Sequence, residues 1–387
     1  MKVPDILKFK LLAFGMLFFI LPSSTFSCTI ISAIAKNGHV WNANNEDGPF
    51  GVGNFINVFP KTENSKYGYF TLSYLSPRYG DGGSLQGGTN EAGLTFDFNQ
   101  IKYVENFEMG SKVVFPAGNE AILPHILANM ASVDEVAAFF ETYWFEDGFR
   151  GAQMHVADRN GKFAIISASG IHVAKPGEHL VSTNFDICGD EAASSCWRYP
   201  IAKAMLKESA VNLATMTQIL EQTAQKNGGT MYSNIQNLTT GELWFFSKHD
   251  PNNKVGTTIK DLLVKGKYSY SFNDLGSLLG QAPKAYEEPS TVAIPTEQIE
   301  VHEGVYRNSF IGKVHVEALD EGIKVSFEDG FSFMLSPKAE DSFYWPNEGV
   351  VVQFSKDFET QRAKLSFYEN GMWSFDAKKE KNGSGQY

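Results

Sequence analysis

The chain has 387 residues, a length typical of two or three domains. Hydrophobic residues make up 43% of the sequence and charged residues 20%, a composition that allows a packed core and excludes wholesale disorder. Because the formal net charge is −11, we do not expect the chain to bind nucleic acid or anionic membranes through bulk charge.

The N-terminal residues 1–27 have the pattern of a signal peptide. Three lysines precede or flank an apolar run over 11–21, and the small residues Thr25 and Ser27 suit cleavage before Cys28. The run is shorter than a membrane-spanning helix requires. We therefore expect an exported protein, periplasmic or secreted, that starts at Cys28 and has no stable membrane anchor; an uncleaved anchor is the alternative.

Strand-like and helical stretches alternate from Cys28 to about Leu279. Hairpin signals lie at three places: Asn37-Gly38, Asn160-Gly161 and Thr239-Thr240-Gly241. Helices are predicted over 118–143, with a capping box at Ser132, and over 200–208 and 214–226. This order predicts an α+β layered domain and not a parallel α/β fold.

The chain changes character near residue 281. Residues 281–298 carry three prolines and little periodicity, which is typical of a linker. Short alternating runs follow, which predict a small antiparallel barrel or sandwich. The predicted organisation is a signal peptide 1–27, a layered domain 28–280, a linker 281–298 and a β-domain 299–387.

Cysteine is sparse, which excludes a disulfide scaffold. Cys188 and Cys196 are close enough in sequence to form a bridge, or they are two free thiols. In either case Cys28 is left over as a candidate reactive thiol.

The first hairpin gives a geometric expectation for Cys28. If Asn37-Gly38 is a two-residue turn, Cys28 lies opposite Asp47 and Ile30 lies opposite Asn45. Glu46 would then point to the other face of its strand. A slip of one residue would reverse this assignment.

An N-terminal cysteine carries its own base. Its α-amine and thiol have unperturbed pKa values of about 8 and about 8.5, so the amine can take the thiol proton and later return it to a leaving group. No histidine is required, and His155, inside a predicted strand, is expected to be a core residue. We found no HExxH, Cys/His metal cluster, P-loop or dinucleotide fingerprint, and therefore expect no metal and no cofactor.

Four motifs between Cys28 and about Lys248 resemble, in order, those of one enzyme family. They are Cys28-Thr29 followed by Asn45-Glu46-Asp47, the run 88–94, Ser182-Thr183-Asn184, and Cys196-Trp197-Arg198-Tyr199. Together they resemble the choloylglycine hydrolase and penicillin V acylase family of N-terminal-nucleophile (Ntn) hydrolases. The resemblance implies a four-layer αββα sandwich, two antiparallel sheets between helical layers.

The resemblance also implies a role for each of five residues. Cys28 would be nucleophile and base, and Asp47 would orient its amine and thiol. Asn99, aligned by allowing one deleted residue, would donate to the oxyanion, and Asn184 would position the α-amine. Arg198 would favour the thiolate by its charge. Taken singly, each of the last four has a simpler explanation as a turn, cap or surface residue.

One position departs from the family. The family usually has an arginine directly before Asn-x-Asp, where this chain has Asn44. The sequence therefore lacks one positive charge near the thiol, which bears on substrate acceptance and on the thiol pKa.

The leading hypothesis is hydrolysis of a linear carbon–nitrogen amide bond in a small N-acyl compound, through a thioester on Cys28. Three alternatives stay open. They are acyl transfer to an amine through the same thioester, a lipoprotein binding module with a lipidated Cys28, and a non-catalytic family member. The expected partner is a small-molecule N-acyl amide, and a homo-oligomer is compatible with the sequence.

Overall fold

A computed structural model describes residues 28–48, 53–74, 84–105, 107, 110–144, 147–189, 193, 196–225, 229–247, 250–280, 290–308, 311–328, 332–345, 350–358, 360–369 and 372–380. The predicted signal peptide lies outside the described residues, and so does the part of the predicted linker over 281–289.

Two antiparallel sheets form the centre of the first domain. The six-stranded sheet has the order β12 (Leu180–Ser182), β1 (Thr29–Ile34), β2 (Val40–Asp47), β13 (Thr230–Asn237), β14 (Glu242–Ser247) and β15 (Val255–Thr258). The eight-stranded sheet has the order β11 (Gly170–Val173), β10 (Phe163–Ser167), β9 (Ala152–Ala157), β6 (Thr95–Gln100), β5 (Ser84–Asn90), β4 (Tyr69–Tyr74), β3 (Asn54–Phe59) and β16 (Tyr268–Ser271).

Helices cover the outer faces of both sheets. The eight-stranded sheet packs against α1 (Ile122–Asn129) and α2 (Val133–Thr142), and the six-stranded sheet packs against α3 (Arg198–Glu208) and α4 (Leu213–Thr223). The capping box at Ser132 is confirmed: its side chain accepts from the Glu135 N–H, and the Glu135 carboxylate accepts from the Ser132 N–H. The remaining described regular elements of this domain are short: β7 (Val113–Val114), β8 (Tyr143–Trp144), α5 (Ile259–Val264) and the 3-10 turns Asn119–Ala121, Asp147–Gly151, Pro251–Asn253 and Phe272–Leu279.

The first hairpin has a different register from the one expected. Ile30 pairs with Asn44 and Thr29 with Asn45, so continuing the ladder places Cys28 opposite Glu46. The reason is the turn, which has three residues instead of two and ends in Gly38 at φ 82°. An Asn-Gly pair fits either turn, and the longer loop shifts the register by one. The expected pairing of Cys28 with Asp47 is therefore wrong.

The layer between the sheets is apolar at its two flanks and polar in its middle. One flank is built around Phe70 and Phe245, and the other around Phe163 and Ile165. Between them lie buried polar side chains from both sheets: Ser32, Asn42, Asn44, Glu46, Thr89, Asp97, His155, Asn234 and Gln236. This polar middle leads to the end of the sheet where Cys28 begins.

The C-terminal part is a closed, eight-stranded antiparallel barrel. Its strands are β17 (Gly304–Asn308), β18 (Gly312–Leu319), β19 (Gly322–Phe327), β20 (Ser332–Ala339), β21 (Ser342–Trp345), β22 (Val350–Lys356), β23 (Ala363–Glu369) and β24 (Met372–Lys379). Alternate residues fill the interior, among them Val314, Val325, Phe343 and Phe367. The short α6 (Thr296–Ile299) and the 3-10 turn Glu300–His302 precede the barrel.

The expected fold class is confirmed: helices flank two stacked antiparallel sheets, and an all-β domain follows. Within the described residues, no helix combines the length and the apolar character needed to cross a bilayer.

Candidate active site

Cys28 lies directly before β1, and its side chain is 5% exposed. The thiol approaches the backbone carbonyl oxygen of Asp47, with the sulfur 3.9 Å from that oxygen. The Asp47 side chain points the other way, toward α3 and α4, because neighbouring residues of a strand face opposite sides. Cys28 and Asp47 are thus neighbours through the backbone of β2 and do not pair across the ladder.

The Arg198 guanidinium joins two of the predicted residues. Its Nη1 donates to Asp47 Oδ2 at 3.0 Å, and its Nη2 donates to Asn184 Oδ1 at 2.8 Å. The side chains of Arg198 and Asp47 are 2% and 0% exposed, so this is a buried ion pair. Three of the five predicted residues therefore form one hydrogen-bonded cluster beside Cys28.

The Asp47 carboxylate is bound from several sides. Thr230 Oγ1 donates to its Oδ1 at 2.5 Å, and Gln225 Nε2 donates to its Oδ2 at 2.9 Å. Burial raises the pKa of Asp47 to about 6, while the hydrogen bonds from Thr230 and Gln225 and the charge of Arg198 act in the opposite direction. The surrounding donors fix the carboxylate in one orientation.

Asn99 stands apart from this cluster. It is fully buried in β6, and neither its Nδ2 nor its Oδ1 has a hydrogen-bond partner among the described residues. It lies two residues beyond Asp97, so both side chains face the six-stranded sheet. Such an unpaired buried amide is costly and is often explained by a bound group or water. Its predicted role as an oxyanion donor needs this spare N–H.

Two carboxyl groups that the sequence motifs did not predict lie on the thiol side of the sheet. Glu46 lies opposite Cys28, and Asp97 reaches toward Glu46 from the other sheet. Burial raises the pKa of Cys28 well above its ordinary value, and the charges of Glu46, Asp47 and Asp97 raise it further. Two features of the sequence could have indicated carboxyl groups near the thiol. They are the acidic run Asn45-Glu46-Asp47, and Asn44 at the position where the resembled family usually has an arginine.

Arg198 acts on a different thiol from the one expected. Its Nε and Nη2 lie 3.4 and 3.1 Å from the sulfur of Cys196. Burial raises the pKa of Cys196, but the charge and the hydrogen bonds of Arg198 outweigh this effect, so the pKa is lowered. Cys188 and Cys196 are both free thiols, and the bridge between them is absent.

The prediction for His155 is confirmed. It is 1% exposed, and its two ring nitrogens lie 2.9 Å from Ser32 Oγ and 2.8 Å from Ser182 Oγ. Burial lowers its pKa to about 3, so the ring is neutral. In the described part of the chain, no three His, Cys, Asp or Glu side chains converge in a way that could hold a metal ion.

No family model and no curated protein matches this sequence. Several solved structures are similar to it, among them the three that follow. A variant of conjugated bile acid hydrolase from Clostridium perfringens has 16% identity, a TM-score of 0.46, and coverage of 63% of this chain and 96% of its own. Penicillin V acylase from Agrobacterium tumefaciens has 18% identity, a TM-score of 0.44, and coverage of 63% of this chain and 90% of its own.

The third is the Caenorhabditis elegans ortholog of N-acylethanolamine-hydrolyzing acid amidase, with 20% identity, a TM-score of 0.41, and coverage of 55% of this chain and 93% of its own. Penicillin V acylase is one of the enzymes after which the resembled family is named. At these identities and TM-scores, the likeness does not bear on the roles of individual residues.

Proposed function

We propose that this chain hydrolyses a linear carbon–nitrogen amide bond in a small N-acyl compound, with Cys28 as the nucleophile once the preceding residues are removed. The observation that carries the proposal is the buried Arg198 bridge between Asp47 and Asn184, next to a buried thiol at the start of β1. A buried, hydrogen-bonded cluster that holds the chain at the start of β1 would keep the nucleophile in place, as nucleophilic catalysis needs.

The proposed reaction has two halves. The Cys28 α-amine takes the thiol proton as sulfur attacks the amide carbonyl, and the protonated amine then gives that proton to the leaving nitrogen. Water attacks the resulting thioester as the amine takes its proton. The C–S bond then breaks, the ammonium returns that proton to the Cys28 sulfur, and a carboxylic acid is released. Asn99 would donate its spare N–H to the oxyanion of each tetrahedral intermediate, a contribution of about 3 kcal/mol in other enzymes.

Export and maturation belong to the same proposal, because only a free α-amine can act as the base. Intact mass and N-terminal sequencing of the exported form should give a chain that starts at Cys28. A lipidated Cys28 would show as a mass increase and would support the binding-module alternative. A mature start elsewhere would remove the base and contradict the mechanism.

The test of the reaction uses the mature protein and a panel of N-acyl amino acids, acyl lactones, penicillin V and conjugated bile salts. We expect one class to turn over and to leave an acyl adduct on Cys28 that mass spectrometry detects after rapid acid quenching. Cys28→Ser should lose turnover and keep the fold, since a hydroxyl is a weaker nucleophile than a thiolate.

Cys188→Ser is the matched control and should keep full turnover. Full turnover in Cys28→Ser would exclude this cysteine as nucleophile. Adding amine acceptors to the same assay separates hydrolysis from acyl transfer: transfer would give a new amide at the expense of the free acid.

A further inference from the structure

Three side chains form one row across neighbouring strands on the inner face of the six-stranded sheet. The ladder between β1 and β2 places Cys28 opposite Glu46, and Glu46 in turn pairs with Tyr232 of β13. Directly opposed side chains share a face and lie about 5 Å apart at Cβ. Glu46 therefore sits between the thiol and the Tyr232 phenol, which has no hydrogen-bond partner among the described residues.

Asp97 completes the group from the facing sheet. The Asn44 amide nitrogen donates to Asp97 Oδ2 at 2.7 Å and to Glu46 Oε2 at 3.2 Å, so one amide bridges the two carboxyl groups. Glycine at position 87 makes room for Asp97, because a Cβ there would lie 2.6 Å from Asp97 Oδ2. Residues of both sheets thus accommodate the carboxyl pair and hold it in place.

No cation of the described residues contacts this pair. Arg198 pairs with Asp47 on the helix side, and His155, which pairs with Asp97 across the ladder, is neutral. The other titratable groups near the pair are the side chains of Cys28, Asp47 and Tyr232, which are acids, and the α-amine that maturation would give Cys28. Two close carboxyl groups without a cation do not both ionise at neutral pH.

We infer that Glu46 and Asp97, joined through Asn44, hold one proton between them in front of Cys28 and act as positioning residues that set how readily the thiol ionises. The inference rests on the proposed function in one respect only, namely that Cys28 is the thiol that reacts. When Cys28 gives its proton to the amine, the new thiolate faces one carboxylate charge from the pair, because the shared proton stays there. Loss of the shared proton at higher pH would leave two charges and oppose thiolate formation.

The test is the alkylation of Cys28 by iodoacetamide, measured by peptide mass spectrometry from about pH 6 to about pH 10. It uses the mature protein and a form that keeps Ser27, which has no α-amine at the cysteine. We expect Glu46→Gln and Asp97→Asn each to lower the midpoint of Cys28 alkylation by about one pH unit, and the double variant to lower it further.

Asp158→Asn is the matched control. Asp158 is also a buried carboxyl, 2% exposed, but it accepts from backbone N–H groups in the turn between β9 and β10. Its replacement should leave the Cys28 midpoint unchanged. Midpoints in the Glu46 and Asp97 variants equal to the original would overturn the inference, whether or not the protein hydrolyses amides.

A second measurement needs no substitution and guards against variants that fail to fold. In the form that keeps Ser27, the rate ratio of neutral iodoacetamide to anionic iodoacetate at Cys28 should rise as pH increases through about 8, the pKa to which burial raises Asp97. A ratio that stays constant there would contradict a shared proton at the thiol.

Discussion

Glu46 and Asp47 are neighbours in β2, yet the two carboxyl groups lie in opposite environments. Asp47 faces the helices, where Arg198, Thr230 and Gln225 all donate to it. Glu46 faces the other sheet, where it meets the thiol and a second carboxyl group. Because neighbouring residues of a strand face opposite sides, one carboxyl group can be paired with a cation while the next one along the chain is not.

The two environments have different consequences for chemistry. On the helix side, a buried cation fixes the geometry of Asp47 and Asn184 around the start of β1. On the inner side, a carboxyl pair without a cation tunes the charge that the thiol experiences. In the resembled family an arginine usually takes the position of Asn44, and here an uncharged amide bridges the carboxyl pair instead.

The largest expected effect comes from the helix side. Asp47→Asn should lower kcat on the order of 100-fold with little change in KM, the loss that a misplacement of about 1 Å can cause in an active site. Steady-state kinetics on the substrate identified by the panel measure it, with Asp158→Asn as the control. A kcat close to the original would show that Asp47 has no part in catalysis.

Breaking the buried ion pair should cost stability as well as activity. Arg198→Ala leaves Asp47 buried without its cation, and we expect the free energy of unfolding to fall by about 3–5 kcal/mol. Lys207→Ala, an exposed basic residue of the same helix, should change it by about 0.5 kcal/mol or less. Urea denaturation of both variants measures the difference; equal stabilities would mean that the pair contributes nothing.

The carboxyl pair on the inner side of the sheet should make the free energy of unfolding depend on pH. Burial raises the pKa of Asp97 to about 8, whereas an unfolded aspartate has a pKa of about 4. The folded state therefore binds more protons in this range, and the stability from this group is lost as pH rises from about 4 to about 8. Asp97→Asn should flatten that decline.

Denaturation midpoints at several pH values measure this effect. Relative to the original protein, the Asp97 variant should become more stable as pH rises. A parallel pH dependence in the Asp97 variant would mean that this carboxyl ionises in the folded state as it does in the unfolded chain.

The structural features that could be predicted from the sequence are those that depend on strong local patterns. The Ser132 capping box, the hairpins and the alternating strands of the barrel depend on neighbouring residues, and the structure has them. The pairing of Glu46 with Asp97 joins strands from two sheets, about fifty residues apart, and no local pattern encodes it. The contact of Arg198 with Cys196 was also missed, because position along a helix does not say which sulfur a guanidinium will reach.

The register error at the first hairpin also had a physical cause. Asn37-Gly38 fits a two-residue turn as well as the end of a three-residue loop, and hydrophobic patterning could not decide between them. Both faces of β2 are buried, from Val40 to Asp47, so a shift by one residue leaves no apolar side chain exposed to reveal it.

The smallest expected effect concerns the loop that sets this register. Gly38 has φ 82° with no atom within 4 Å of the position that a Cβ would take, so a side chain there meets conformational strain and no clash. Gly38→Ala should lower the free energy of unfolding by about 1 kcal/mol, and Gly38→Asn should lower it less, because asparagine tolerates the left-handed region.

Neither change should alter the alkylation midpoint of Cys28 if the ladder between β1 and β2 keeps its pairing. A changed midpoint in Gly38→Ala would indicate that the loop has shortened and the strand has slipped. Asp47 would then replace Glu46 opposite the thiol and lose its bonds to Arg198. The stability loss would in that case approach the loss expected for Arg198→Ala, so the two measurements together separate local strain from a change of register.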